Sequence, residues 1–145
     1  RDSGHQGRIM TLGCSLGATH AANALFRRPD IFQTVIALSG AYDARWLLAG
    51  YMDELVYLNS PVDAIRGMPH DHPWIALFNS SRIILCCGQG AWEDEMLRSL
   101  RLLEDAMREK GIHAWVDIWG LDVNHDWDWW RRQLGYFLHQ VLGDA

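Results

Sequence analysis

The chain has 145 residues, of which 49% are apolar, and its 13 basic and 18 acidic side chains give a net charge of −5 at neutral pH. This length and composition predict one ordinary domain with a sizeable core and argue against a disordered chain. A nucleic-acid partner is disfavoured, because no basic cluster is long enough to follow a phosphate backbone. No apolar run approaches the roughly 20 residues that a membrane-spanning helix needs.

The cysteine content indicates the compartment. Three cysteines, two of them adjacent at positions 86 and 87, suit neither a disulfide framework nor a zinc site. Disulfide-bonded domains are typical of oxidising compartments, so this content favours a reducing, cytoplasmic location. The first ten residues also lack the apolar stretch of a secretion signal, which agrees with that expectation.

Continuously apolar segments alternate with amphipathic segments along the chain. In chain order the pattern predicts a strand at 8–12, a helix at 16–28, a strand at 32–39, a strand at 82–87, a helix at 93–110, a strand at 113–119 and a helix at 127–142. Between 43 and 81 the pattern is irregular, with short helices expected near 46–48 and 52–58. The alternation predicts an α/β fold, a parallel sheet with helices on both faces.

A glycine-flanked serine lies between the first predicted strand and the first predicted helix. Residues 13–17 read Gly-Cys-Ser-Leu-Gly, with Ser15 at the centre. In such a turn the serine backbone is strained, and we expect side chains at the two glycine positions to collide. The Ser15 hydroxyl then stands above the sheet at the positive end of the helix, and the Leu16 N–H points where an oxyanion forms. Ser15 is therefore a candidate nucleophile, whereas Cys14 is expected to face the core and to be inert.

A nucleophilic serine needs a base, and the base needs a carboxylate that orients it. His125 follows the last predicted strand and directly precedes the final helix. Three carboxylates follow the third strand: Glu93, Asp94 and Glu95. The carboxyl ends of parallel strands share one rim, so these groups are expected to converge with the serine. Neighbouring helical residues point about 100° apart, so spacing leaves Glu93 and Asp94 open, with Glu93 slightly favoured after the bulky Trp92.

Plainer interpretations compete with these assignments. The turn at Ser15 is alternatively a glycine-rich connection with an incidental serine, and His125 is alternatively a helix-capping or exposed residue. His70 and His72 suggest a metal site, but no third ligand lies near them in sequence, so we expect no metal. Ser39 follows the second strand without a helix directly behind it, so we expect it to face a pocket or to form a turn.

Eight tryptophans are unusual for a chain of this length. Trp127, Trp129 and Trp130 flank His125, and Trp92 precedes the candidate acids. These rings are able to line an aromatic pocket for an acyl or leaving group. We favour the alternative that most of them pack the last helix on the sheet, because large rings dominate burial.

Four segments together resemble the α/β-hydrolase superfamily, and within it the esterase branch with esterase D-like and mycolyltransferase-like proteins. The matching segments are residues 13–17, 38–43, 88–93 and 124–127. The resemblance spans nearly the whole chain but only the second half of the family's fold. It implies that residues 1–145 are the C-terminal portion of an α/β-hydrolase domain, truncated at the N-terminus. The missing half would carry a second oxyanion donor, and the strand edge left open would favour a homo-oligomer.

The resemblance implies a serine hydrolase that cleaves carboxylic esters through an acyl-enzyme, without metal or organic cofactor. Ser15 would attack the carbonyl and His125 would shuttle the proton. Glu93 or Asp94 would hold the imidazolium, and the Leu16 N–H would stabilise the oxyanion. The expected partner is a small-molecule ester. Two alternatives stay open: an acyltransferase with an alcohol acceptor, and a catalytically inactive fragment.

Overall fold

The computed structural model describes residues 4–143, and within them the strands form one four-stranded sheet. The strands are Ile9–Cys14 (β1), Phe32–Leu38 (β2), Arg82–Cys87 (β3) and Trp115–Ile118 (β4). They are hydrogen-bonded in the order β1-β2-β3-β4, and every neighbouring pair is parallel. The predicted parallel sheet is therefore confirmed. The fourth strand is shorter than predicted, because the His113 N–H donates to the Asn79 side chain at 2.8 Å before the ladder begins.

Three long helices match the predicted ones, and four short helices lie between β2 and β3. The long helices are Leu16–Arg27 (α1), Asp94–Glu109 (α6) and Trp127–Leu142 (α7). The short helices are Ala44–Leu47 (α2), Glu54–Leu58 (α3), Pro61–Gly67 (α4) and Trp74–Ser80 (α5). The sequence pattern identified α2 and α3 approximately but missed α4 and α5. Each short helix completes about two turns or fewer, which is too little for an amphipathic period to stand out.

The two faces of the sheet have separate cores. On one face, buried side chains of β2 and β3 such as Val35 and Leu85 pack against helices α1 and α6. On the other face, Ile36 and Ile84 pack against α7 through Phe137. Because successive strand residues face opposite sides, a strand covered by helices on both faces is continuously apolar. This is why β2 and β3 could be predicted directly from the sequence.

The strand register brings the carboxyl ends of β1, β2 and β3 to one level. Cys14 lies opposite Leu38, and Leu38 lies opposite Cys86, so the residues that follow these strands emerge side by side. Strands β1 and β4 form the two edges of the sheet. None of the helices in the described part of the chain combines the length and the apolar character needed to cross a membrane.

Candidate active site

Ser15 occupies a strained turn between β1 and α1. Its backbone has φ 55° and ψ −126°, a conformation that costs on the order of 1–3 kcal/mol for a residue with a side chain. The Ser15 N–H donates to the Leu38 carbonyl at 2.9 Å, which ties the turn to the end of β2. The side chain does not cap α1. Instead, Ser15 Oγ lies 2.8 Å from Nε2 of His125.

The two glycines of the turn have different roles. A Cβ atom at Gly13 would lie 2.2 Å from the Gly17 carbonyl oxygen, so only glycine fits there. A Cβ atom at Gly17 would meet no heavy atom within 4 Å, apart from the backbone of its own helix. The expectation that side chains at both positions collide is therefore wrong for Gly17. The close contact arises from the approach of β1 to the first turn of α1.

Leu16 begins α1, and its side chain is exposed. The N–H groups of the first helical turn have no intrahelical acceptor, so the Leu16 N–H is available to another acceptor. It lies directly after Ser15, at the positive end of the helix dipole. This position suits the stabilisation of negative charge next to the serine hydroxyl.

Glu93 is fully buried, and each of its carboxylate oxygens has a different set of partners. Oε1 lies 2.7 Å from Nδ1 of His125. Oε2 accepts hydrogen bonds from Ser39 Oγ at 3.0 Å, from Cys87 Sγ at 2.7 Å and from the Gly88 N–H at 3.0 Å. These donors offset the cost of placing a carboxylate away from water. The hydrogen bonds thus run from the Ser15 hydroxyl through the imidazole to a buried acid.

The cysteine thiols near this acid remain neutral. Burial raises the pKa of the Cys87 thiol, and its hydrogen bond to Glu93 raises it further. The thiol therefore keeps its proton and donates a hydrogen bond to Oε2. Burial also raises the pKa of Cys14, which precedes the serine. Reactive cysteines need a lowered pKa, so neither thiol has the character of a nucleophile.

His125 is held in place by the pairing of two loops, which we call the acid loop (residues 88–93) and the histidine loop (residues 120–126). The Gly90 N–H donates to the Val123 carbonyl at 2.8 Å, and the His125 N–H donates to the Ala91 carbonyl at 2.9 Å. The side chain of Asn124 accepts from the Ala91 N–H at 2.8 Å. Each loop thus fixes the backbone of the other next to the imidazole.

The glycines of the acid loop allow this pairing. A Cβ atom at Gly88 would lie 2.1 Å from the Val123 carbonyl oxygen. A Cβ atom at Gly90 would lie 2.2 Å from Asn124 Oδ1. Both distances are far below van der Waals contact, so any side chain at these positions would push the loops apart.

The other two candidate carboxylates lie away from the imidazole. Asp94 is the first residue of α6 and is exposed. Glu95 pairs with Arg98 on the same helix at 2.8 Å. The geometry therefore brings Glu93, and not Asp94, to His125. Trp92, with φ 65°, turns the chain just before α6 and directs Glu93 inward.

Ser39 and Trp130 also belong to this cluster. Ser39 is buried with φ 57°, and besides donating to Glu93 its hydroxyl accepts from Trp130 Nε1 at 3.1 Å. The Trp130 ring meets the His125 ring edge-to-face, with centroids 4.8 Å apart. The sequence predicted a turn or pocket position for Ser39 but no partner. Trp130 was grouped with its neighbours, because a pattern of residue types does not show which ring faces the histidine.

Comparison with solved structures identifies the fold. A ferulic acid esterase matches with a TM-score of 0.67 and 25% identity, over 85% of this chain and 46% of that one. The S-formylglutathione hydrolase of Staphylococcus aureus matches with a TM-score of 0.64 and 14% identity, over 90% and 49%. The capsule O-acetyltransferase of Neisseria meningitidis serogroup A matches with a TM-score of 0.61 and 16% identity, over 90% and 55%.

The chain has the α/β-hydrolase fold of the esterases. It spans about half the length of each of these three structures. Neither the protein-family models nor the curated proteins give a match to the sequence. In this α/β-hydrolase fold the four strands and the helices around them correspond to one portion of the larger proteins.

Of the four tryptophans at 92, 127, 129 and 130, Trp130 alone belongs to the core, so the expectation that most of them pack the last helix on the sheet is wrong. Trp130 is buried, but Trp127 is 59% exposed and Trp92 is 86% exposed. Trp92 and Trp46 line a surface cleft of about 340 Å³ with Met96 and the carboxylates of Asp94 and Glu95.

Residues 4–143 contain no cluster of three or more histidine, cysteine, aspartate or glutamate side chains that could hold a metal ion. His70 and His72 instead make separate local contacts. Nε2 of His70 lies 3.8 Å from Glu109, and Nδ1 of His72 accepts from the Trp74 N–H at 3.0 Å.

Proposed function

We propose that Ser15, His125 and Glu93 act as a Ser-His-acid triad that cleaves carboxylic esters through an acyl-enzyme. One observation carries this proposal: two hydrogen bonds, of 2.8 and 2.7 Å, link the hydroxyl through the imidazole to a fully buried carboxylate. The same constellation serves acyl transfer on unrelated folds and is recognised by geometry and roles. The α/β-hydrolase fold adds support, because its known members use the chain order serine, acid, histidine.

In the first half of the reaction Ser15 Oγ attacks the ester carbonyl. His125 Nε2 takes the hydroxyl proton, and the Leu16 N–H stabilises the oxyanion of the tetrahedral intermediate. Glu93 accepts from Nδ1–H, which fixes the tautomer that leaves Nε2 free as a base. The imidazolium then gives its proton to the departing alcohol, and an acyl-serine remains.

In the second half a water molecule replaces the alcohol. His125 takes a proton from this water as its oxygen attacks the acyl-serine carbonyl. Collapse of the second tetrahedral intermediate returns the proton from His125 to Ser15 and releases the carboxylic acid. The site is then restored.

The first substrates to test are small esters of aromatic and short aliphatic acids. The ferulic acid esterase that matches the chain at 25% identity supports an aromatic acid. The exposed rings of Trp92 and Trp127 offer apolar contact area beside the acid loop and at the start of α7.

The decisive experiment combines ester turnover with labelling by a fluorophosphonate probe. We expect the 145-residue chain to be labelled and to hydrolyse p-nitrophenyl acetate, and we expect Ser15→Ala to remove labelling and to lower kcat by roughly 10³-fold or more. Ser80→Ala, an exposed serine at the end of α5, serves as the matched control and keeps both activities. Labelling that survives Ser15→Ala would refute the nucleophile assignment.

A chain that folds but is neither labelled nor active would refute the proposed function for this portion of the fold. Product analysis in the presence of a small alcohol separates the two kinds of acyl transfer. Free carboxylic acid as the main product supports the hydrolase, whereas a new ester as the main product would overturn it in favour of an acyltransferase.

A further inference from the structure

We infer that Ser39 and Trp130 are positioning residues: a relay of two hydrogen bonds from the Trp130 indole through the Ser39 hydroxyl holds Glu93 in the orientation that His125 requires. This inference rests on the proposed function, because it assigns work to residues around the same acid. Ser39 donates to Glu93 and the Trp130 ring packs on His125, so we expect their effect on Ser15 to pass through the acid and the base.

The chemistry of the donors fixes the direction of the relay. An indole N–H donates and does not accept, so Trp130 Nε1 must donate to Ser39 Oγ across their 3.1 Å contact. A serine hydroxyl has one proton, and that proton is therefore free for Oε2 of Glu93 at 3.0 Å. Trp130 Nε1 cannot accept the Ser39 proton, so this proton is available to the carboxylate.

The relay joins Glu93 to parts of the fold that the other donors to Oε2 do not reach. Cys87 and Gly88, the other donors to Oε2, lie only a few residues before Glu93 in the chain. Ser39 instead follows β2, and Trp130 lies in the first turn of α7, just after His125. The relay therefore ties the acid to helix α7, which begins two residues after His125.

Trp130 contacts His125 directly and reaches Glu93 through Ser39. Its ring packs against the His125 ring at 4.8 Å with an interplanar angle of 86°, while its N–H acts on Glu93 through Ser39. A rotation of the indole would therefore move the imidazole and the carboxylate together. This coupling keeps the 2.7 Å contact between Nδ1 and Oε1 aligned.

The backbone at Ser39 indicates that its hydroxyl is needed. With φ 57° the position favours glycine, which adopts this conformation without steric cost. The side chain is also fully enclosed, and its oxygen has two polar partners. If Ser39 served only to form the turn, glycine would serve equally well. Ser39→Gly therefore separates a role in the turn from a role of the hydroxyl.

The test compares three variants in steady-state kinetics. We expect Ser39→Gly and Ser39→Ala to lower kcat equally, by roughly 10- to 100-fold, with KM changed less than about twofold. Trp130→Phe keeps the ring against His125 and removes the N–H, so we expect a smaller loss of kcat, roughly three- to tenfold. Trp119→Phe is the matched control, because its indole donates to Asp117 on the same side of the sheet, and it leaves kcat unchanged.

Two results would overturn the relay. One is a Ser39→Gly variant with the kcat of the unmodified chain, which would leave Ser39 a turn residue only. The other concerns the double variant. If the relay is real, adding Trp130→Phe to Ser39→Gly should not lower kcat further, because the relay is already broken. A double variant that loses kcat by the product of the two single losses would therefore contradict the relay.

A spectroscopic readout separates this inference from the proposed function. The proton between His125 Nδ1 and Glu93 Oε1 gives a downfield NMR signal that does not depend on ester turnover. We expect Ser39→Gly to shift or broaden this signal, and Trp119→Phe to leave it unchanged. If the chain proves inactive but the signal responds, the relay stands and the proposed function fails. If the chain is active but neither the signal nor kcat responds, the relay fails alone.

Discussion

The acid and histidine loops differ sharply from the segment that contains α2 and α3, although both follow strands at the same rim. The two loops are held by backbone hydrogen bonds and by glycines that admit no side chain. Helices α2 and α3 contain no buried residue, and Ala49 and Gly50 between them both have positive φ. Several large apolar side chains of this segment are exposed: Trp46, Leu47, Leu48, Tyr51 and Leu55.

This difference shows where the molecule requires rigidity. The atoms proposed to react are held by contacts between loops that cannot shift separately. The α2–α3 segment has few buried apolar contacts, which is typical of regions that open with little free energy. The α2–α3 segment forms surface near the rim and does not hold the side chains next to Ser15.

The largest expected effect comes from a methyl group placed between the paired loops. Gly88→Ala would push Cβ against the backbone of Val123, so we expect a loss of roughly 2–3 kcal/mol in the free energy of unfolding. A displacement of about 1 Å at the imidazole lowers kcat about 100-fold. Denaturant unfolding and ester turnover measure the two effects.

Gly50→Ala provides the comparison in the looser segment. The added Cβ meets no atom within 4 Å, so its cost is the left-handed backbone alone, roughly 1–2 kcal/mol. We expect kcat to be unchanged. Equal losses of kcat in Gly50→Ala and Gly88→Ala would contradict the contrast between the two regions.

A smaller effect is expected from the asparagine that joins the two loops. Asn124→Ala removes the acceptor of the Ala91 N–H, so we expect a loss of about 0.5–1.5 kcal/mol in stability and about tenfold in kcat. Asn79→Ala is the matched control at the opposite end of the sheet, where Asn79 accepts from the His113 N–H at the same 2.8 Å. Asn79 also donates to the Gly111 carbonyl at 2.9 Å, so Asn79→Ala should lose at least as much stability, with kcat intact. A kcat loss in Asn79→Ala as large as in Asn124→Ala would show that general destabilisation explains both.

The smallest effect concerns Trp92, which combines a positive φ with an exposed side chain. Trp92→Gly relieves the backbone strain, so we expect stability to rise by about 1 kcal/mol, or a few degrees in Tm. We also expect kcat/KM to fall for bulky aromatic esters and to stay constant for acetate esters. Trp92→Ala should show the same kinetic change without the rise in Tm. Unchanged kcat/KM for aromatic esters in both variants would exclude a role for this ring in substrate contact.

The sheet and its long helices could be predicted because they depend on local patterns. Strands buried on both faces are continuously apolar, and α1, α6 and α7 are long enough for an amphipathic period. Because the carboxyl ends of parallel strands share one rim, the sequence also predicted that Ser15 and His125 lie at the same rim of the sheet. The short helices α4 and α5 could not be predicted from the sequence, because they depend on the tertiary packing of residues such as Val62 and Phe78.

Other parts of the site depend on geometry that residue spacing does not encode. Trp92 has a left-handed backbone directly before the buried Glu93, whereas Asp94 is exposed. Residue types do not show such a conformation, so the sequence left both carboxylates open, with Glu93 slightly favoured. The contact between Ser39 and Trp130 joins residues 91 positions apart in the sequence. The packing of α7 against β2 and β3 brings this pair together.

The separation of the reacting groups along the chain has a consequence for folding. The Ser15 hydroxyl and the His125 imidazole lie 110 residues apart in sequence, on either side of the strands β2 and β3 that must pair between them. Contacts of such long range close late, since the entropy of closing the intervening chain must first be offset by other pairings. We therefore expect a refolding chain to regain its helices before the contact between Ser15 and His125, so that labelling of the proposed nucleophile would report completion of the sheet.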